Sequence, residues 1–169
     1  MSEVIPIVDD QDKLIAYKDR KAVDYTKDIF QSSALWVVNS NGDILLAQRK
    51  LTKSKDPGKW GPAVAGTVEK GEDYETNIYK EAEEEIGLTG YKFEKLAKEK
   101  LSAPYPYPQF VQWFQVTVDK PIDYFTAQLE EVEKIEWVGR NWLMKDVQEN
   151  PEKYITSMGR ALTFLRRST

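Results

Sequence analysis

GTVEKGEDYETNIYKEAEEEIGL, residues 66–88, joins a glycine-bearing loop to a segment crowded with glutamates. Residues 74–86 contain neither Gly nor Pro, and their Glu, Lys and Ala favour helix. Gly87 follows as a stop signal. Tyr74, Ile78, Ala82 and Ile86 recur at every fourth position and mark one buried stripe. At about 100° per residue, Glu81, Glu84 and Glu85 fall within an arc of roughly 100° beside that stripe, while Glu83 points to water. Like charges so spaced destabilise a helix by roughly a few tenths of a kcal/mol. An oxygen-seeking cation removes that penalty. Magnesium, which takes a few carboxylates and keeps positions for water and phosphate, is the natural candidate. Taken alone, EAEEE reads as a solvated acidic face, because charge runs usually just face solvent. The spacing around it changes that reading.

Gly66, five residues, Glu72, seven residues, then Lys80-Glu81-Ala82-x-Glu84-Glu85-x-Gly87-Leu88 closely resembles the Nudix box, G-x5-E-x7-R-E-U-x-E-E-x-G-U, where U is a bulky aliphatic residue. Two positions depart from it: Lys80 stands where that family has Arg, and Ala82 is a small member of the U class. Lys and Arg are not equivalent where a planar fork is needed, so activity is less secure than fold. The resemblance implies an α/β fold, an α/β/α sandwich around a mixed sheet, formed by a single domain over residues 1–169. It implies that Glu81, Glu84 and Glu85 are metal ligands for Mg2+, with Mn2+ as an alternative. It implies that Glu81 or Glu85 also orients or deprotonates a water, and that Glu72 sits near the cluster. A carbonyl of Ala65 or Gly66 is a candidate further ligand. Many family members take a base from a distant loop. In QLEEVEKIEWV the candidates are Glu130, Glu131 and Glu133, with Glu131 preferred, against the alternative of a solvent-facing acidic turn.

The chain's 169 residues suit one domain with a full core. A 41% hydrophobic, 31% charged composition is ordinary for a soluble protein. No apolar run approaches the roughly 18 residues that span a bilayer, and the acidic start MSEVIPIVDDQD does not resemble a signal peptide. A cytoplasmic location and no membrane partner are the resulting expectations. There is no Cys and no His, which excludes disulfides, thiolate chemistry, His-ligated zinc and Ser-His-Asp triads; any metal must be held by oxygen. The net charge of −4 argues against a broad nucleic-acid surface, although a capped or nucleotide-like substrate stays compatible.

Residues 4–8 and 14–17 read as a hairpin around DDQD, and 18–27 as a loop or short helix. Residues 32–39 and 44–49 are strands joined by an Asn-Gly turn. Residues 51–61 form a basic loop; 63–68, 93–100, 110–118 and 133–138 are strands; 103–108 is a loop shaped by Pro; 141–148 and 151–167 are helices. Strands before, between and after helices suggest layers around a mixed sheet.

In the basic loop, Arg49 and Lys53 complement phosphate charge, with Lys50, Lys55 and Lys59 nearby. The segment LLAQRKLTKSKDPGKWGPAVAG together with the N-terminal hairpin resembles the Nudix branch of isopentenyl-diphosphate isomerase and its hydrolase-like relatives. That likeness implies that Arg49 and Lys53 grip a diphosphate and that the Pro-Gly-x-Trp turn shapes the pocket. Tyr105 and Tyr107 are the preferred aromatics for the rest of the substrate, ahead of Trp60, Phe110 and Trp113, because aromatics at alternate strand positions are more often core. The isomerases carry Cys-Gly-His where this chain has Ala65-Gly66-Thr67, which removes the acid/base Cys. The expectation is therefore hydrolysis of a diphosphate linkage in a nucleoside diphosphate derivative or related small molecule, by metal-activated water attack at phosphorus. Isomerisation and a non-catalytic nucleotide-binding module are the alternatives. Dimers are common among relatives, so a homodimer is a further expectation.

Overall fold

Short apolar runs bounded by turn residues become strands in the computed structural model, which describes residues 2–166. Strands β1 (Val4–Val8) and β2 (Leu14–Asp19) pair antiparallel. The Asp9 carboxylate caps their turn by accepting from the N–H groups of Gln11 and Lys13 at 2.9 and 3.0 Å. This hairpin docks on the rest through Ile5, Ile7, Val23 and Phe30. Strands β3 (Phe30–Val38) and β4 (Ile44–Arg49) follow, and the Asn39 side chain closes their turn by accepting from Asn41 and Asp43. Then come β5 (Trp60–Pro62), β6 (Val64–Thr67), helix α1 (Tyr74–Ile86), β7 (Glu94–Leu101), β8 (Gln109–Thr117), β9 (Val132–Val138), α2 (Arg140–Glu149) and the single turn α3 (Met158–Ala161).

Strands β3 to β9 make one seven-stranded sheet. It is mixed, since β3 and β8 run parallel while the other pairs are antiparallel. Its centre is forked. β3 and β4 pair only at Val37–Leu45 and Val38–Ile44; beyond that β3 takes β6 as its neighbour and β4 takes β5. One face, with Leu35, Val37, Leu45 and Phe114, is covered by Ile78, Ala82 and Ile86 of α1. The other, with Trp36 stacked on Trp113 at 5.3 Å, is covered by Leu143 and Val147 of α2 and by Met158 and Ala161. The α/β class and the helices on both faces are as expected.

Two expectations fail. Residues 151–167 are not one helix: a 3-10 turn, an extended pair, a two-residue turn, α3 and a second 3-10 turn fill residues 151–164, and Arg167 lies outside the described residues. The break comes at Tyr154 and Ile155. Tyr154 bridges to Trp60, Ile155 N–H donates to the Trp60 carbonyl at 3.0 Å, and the Tyr154 hydroxyl donates to Asp146 at 2.6 Å. Tertiary bonds to a sheet edge outweigh local helix propensity here. The loop expected over residues 51–61 likewise ends in β5, because Trp60 and Gly61 find partners on β4. Among the described residues, no helix is long and apolar enough to cross a membrane.

Candidate active site

Helix α1 starts at a reciprocal cap. Thr76 N–H donates to Asp73 at 2.7 Å, and Asp73 N–H donates to the Thr76 hydroxyl at 2.9 Å. It ends at Gly87, whose φ of 67° suits glycine. Between these limits the apolar stripe is pressed on the sheet, which turns the neighbouring Glu81 and Glu85 towards β6. Gly66 has no room for a side chain: a Cβ there would stand 2.7 Å from Glu81 Oε1. Ala65 N–H donates to Glu85 Oε2 at 3.3 Å.

The far wall is tied to the same helix end. Gln128 N–H donates to the Glu85 carbonyl at 2.8 Å, and Glu131 N–H donates to the Gln128 carbonyl at 3.0 Å. Arg49 lies past an irregularity in the β4–β9 register, and its Nε donates to the Lys55 carbonyl at 2.8 Å. Glu85, Glu131, Arg49 and Ala65 therefore line one cleft of about 440 Å³, its open mouth included, within the fork of the sheet. A second cavity, of about 590 Å³ with its open mouth included, lies on the α2 face beside Trp60 and Trp142. Its charges are already paired, Lys134 with Glu136 and Lys153 with Asp146, and none of the carboxylates above reaches it.

Burial pushes the Glu81 carboxyl up to about 7; the Lys80 charge opposes this and the Glu84 charge adds to it. Burial also pushes Glu85 up to about 8, assisted by the charges of Glu81 and Glu131 and opposed by Ala65 N–H and Arg49. Beside them, burial works to raise the Glu72 carboxyl. Hydrogen bonds from Lys80, Glu69 N–H and Asn77 outweigh it, and Glu72 ends below its usual range. Lys80 Nζ lies 2.5 Å from Glu72, 3.5 Å from Glu69 and 3.6 Å from Glu81.

Glu84 is exposed on the same helix, and among the described residues no three carboxylates stand close enough to hold a metal as they lie. Glu81 and Glu85 nevertheless fit a hard divalent cation. Both offer oxygen, neighbouring carboxylates (Glu84 and Glu72 for Glu81, Glu81 and Glu131 for Glu85) add to what burial imposes, and a cation would relieve it. Lys53 is beside the cleft but ion-paired with Glu131. Lys50 pairs with Glu133 at 3.0 Å, and Glu130 is exposed. The two tyrosines are not brought to the cleft. Tyr105 packs against the core on the α2 face. Tyr107 packs by the N-terminal hairpin, where the Lys55 ammonium lies 4.7 Å from its ring and 3.4 Å from that of Tyr25. Trp113 is core. Sequence reasoning passed over Asn77, which is wholly buried among Glu72, Glu81 and Thr67. A lone polar side chain next to Ile78 carries no signal of its own, because it reads equally well as facing solvent.

The model of the NUDIX domain matches residues 30–158. An uncharacterized Nudix hydrolase of Yersinia pestis is 33% identical over 91 residues, 54% of this chain and 50% of its own length, so the chain spans about half of that relative. An isopentenyl-diphosphate Delta-isomerase of Enterobacter sp. is 23% identical across 90% of this chain and 93% of its own. A solved structure from Deinococcus radiodurans superposes with a TM-score of 0.83 at 19% identity, over 97% of this chain and all of that one. The NUDIX domain of Shewanella oneidensis NrtR, solved with ADP ribose, superposes at 0.64 and 15% identity, over 86% of this chain and 90% of that one. These structures share its fold.

Proposed function

This chain belongs to the NUDIX family, and on that premise we propose that it hydrolyses the diphosphate linkage of a nucleoside diphosphate derivative or a related small molecule. One observation carries the reading: Glu81 and Glu85 are packed together under β6, and Glu85 faces Arg49 and Glu131 across one cleft. Glu81 and Glu85, with exposed Glu84 from the same helix, would hold Mg2+ or Mn2+. Such a cation, when bound, supplies positive charge against phosphate oxygens and lowers the pKa of an attached water. Arg49 binds the diphosphate from the opposite wall, with its Nε fixed by the Lys55 carbonyl. Lys53 neutralises Glu131 in the resting protein. Drawn to a phosphate, it would free Glu131 to take the proton from the attacking water as the new P–O bond forms and the bridging P–O bond breaks. Two phosphate-bearing products leave.

The ADP ribose held by the Shewanella domain is a nucleotide diphosphate of the class proposed. The isomerase relative points elsewhere, but moving a double bond needs a proton donor and acceptor at carbon. Residues 65–67 here are Ala, Gly and Thr, and the chain has no Cys or His. The test is a panel of nucleoside diphosphate compounds with Mg2+ or Mn2+, read by release of phosphate or nucleoside monophosphate. Turnover should vanish in EDTA and fall by about a hundredfold or more in Glu85→Gln, as expected for loss of a group that acts in the transition state. Undiminished turnover in EDTA would refute the reading. Tight binding with no product would make the protein a binding module.

A further inference from the structure

We propose that Asn77, held by Ser33, is a positioning residue that aims the Glu72 and Glu81 carboxylates; the inference rests on the metal-holding reading of that site. Asn77 and Ser33 are both fully buried. Asn77 Nδ2 faces three oxygens: Glu72 Oε2 at 2.9 Å, the Thr67 carbonyl at 3.1 Å and Glu81 Oε1 at 3.4 Å. The Thr67 carbonyl and the ionised Glu72 only accept, so the NH2 end of the amide must lie there. Oδ1 is left to accept from the Ser33 hydroxyl, which hydrogen-bonds to it. The orientation is thus fixed from both sides. A buried amide with every partner met is rigid, and one with a partner removed is costly.

Lys80 cannot do this work. Its ammonium is a compact charge on a flexible stem, about a third exposed and shared among Glu69, Glu72 and Glu81. It bonds closely to Glu72, as Glu69 N–H does at 3.0 Å, but neither joins Glu72 to Glu81 through a buried, fixed group. Asn77 faces both carboxylates from one rigid amide. It also ties α1 to β6 through the Thr67 carbonyl, on the strand whose Gly66 leaves space for Glu81. Packing alone would not select an amide here, because its neighbours along the inward face, Ile78, Ala82 and Ile86, are apolar.

The experiment measures Mn2+ binding by calorimetry on the full chain stripped with EDTA, for wild type, Asn77→Ala and Ser33→Ala. Melting in EDTA and kcat and KM on an active substrate accompany it. Removing a residue that orients metal ligands typically costs about 10–100-fold in metal affinity or activity. Folded Asn77→Ala should show a loss of that size in Mn2+ affinity and in kcat, with KM little changed, and Ser33→Ala a smaller loss in the same direction. Mn2+ affinity unchanged in both folded variants, whatever their melting temperatures, would leave Asn77 a purely structural tie and overturn the inference. If Asn77→Ala does not fold, Ser33→Ala decides on the same criterion. A wild-type protein that binds no Mn2+ is a different failure: it removes the metal site, and this inference with it.

Discussion

Glu85 and Glu81 lie where ionisation is opposed, with carboxyls pushed up to about 8 and about 7 by burial and by neighbouring carboxylate charge. An unfolded glutamate titrates near 4.3. A folded value above the unfolded one means that the contribution to stability is full below about pH 4 and is lost as pH rises through the folded values. The metal-free protein should therefore lose melting temperature between about pH 5 and pH 8, and Glu85→Gln should flatten that decline. A wild-type melt independent of pH over this window would show that these carboxyls ionise freely. Gly66 makes a second prediction. A methyl at 66 would displace the Glu81 side chain rather than strain the backbone, so Gly66→Ala should fold and yet lose activity about as far as Glu81→Gln does. Activity near wild type would mean that Glu81 can act from another position. The glutamates were legible in the sequence because their spacing is fixed by the helix. Asn77 was not, because a lone polar side chain near a helix face shows its burial only once the partners from β3 and β6 are in place.

For whole elements, α1 was the most legible, its expected limits and its observed ones both being Tyr74–Ile86. Apolar period, cap and terminal glycine agree there, and agreement between levels is what makes a segment readable. Its Asp73 cap does not line the cleft, so Asp73→Ala should cost about 1 kcal/mol of stability and leave kcat unchanged. A fall in kcat would show that fraying at the first turn reaches Glu81. The segment after α2 was least legible. Nothing in PEKYITSMGRALTFLRR announces that the Tyr154 hydroxyl will bond to Asp146 of α2, or that the backbone at Tyr154 and Ile155 will pair with distant Trp60. The loop joining β4 to β5 shows the same limit. Its basic residues pointed to phosphate, but the Lys53–Glu131 pair depends on a turn near residue 130 that is close only in space. Lys53→Ala should raise KM for a diphosphate several-fold; KM unchanged would confine Lys53 to that ion pair.

At the scale of the whole molecule, the layered α/β arrangement follows from strands and helices that each bury one face. The fork in the sheet does not, because it depends on β3 and β4 exchanging partners after Val37 and Leu45. That fork is what lets Arg49 from β4, Glu131 from before β9, Ala65 from β6 and Glu85 from α1 share one cleft. A ligand that binds only this assembled state must stabilise it. Mg2+ should therefore raise the melting temperature, and more at pH 8 than at pH 6, where protons compete for Glu81 and Glu85. The most direct measurement is anomalous diffraction from crystals soaked in Mn2+ at pH 8. A peak at coordination distance, about 2.2 Å, from the carboxylate oxygens of both Glu81 and Glu85 is the predicted result. Crystals that take up Mn2+ elsewhere, with those two carboxylates still packed against β6 and no peak between them, would contradict it.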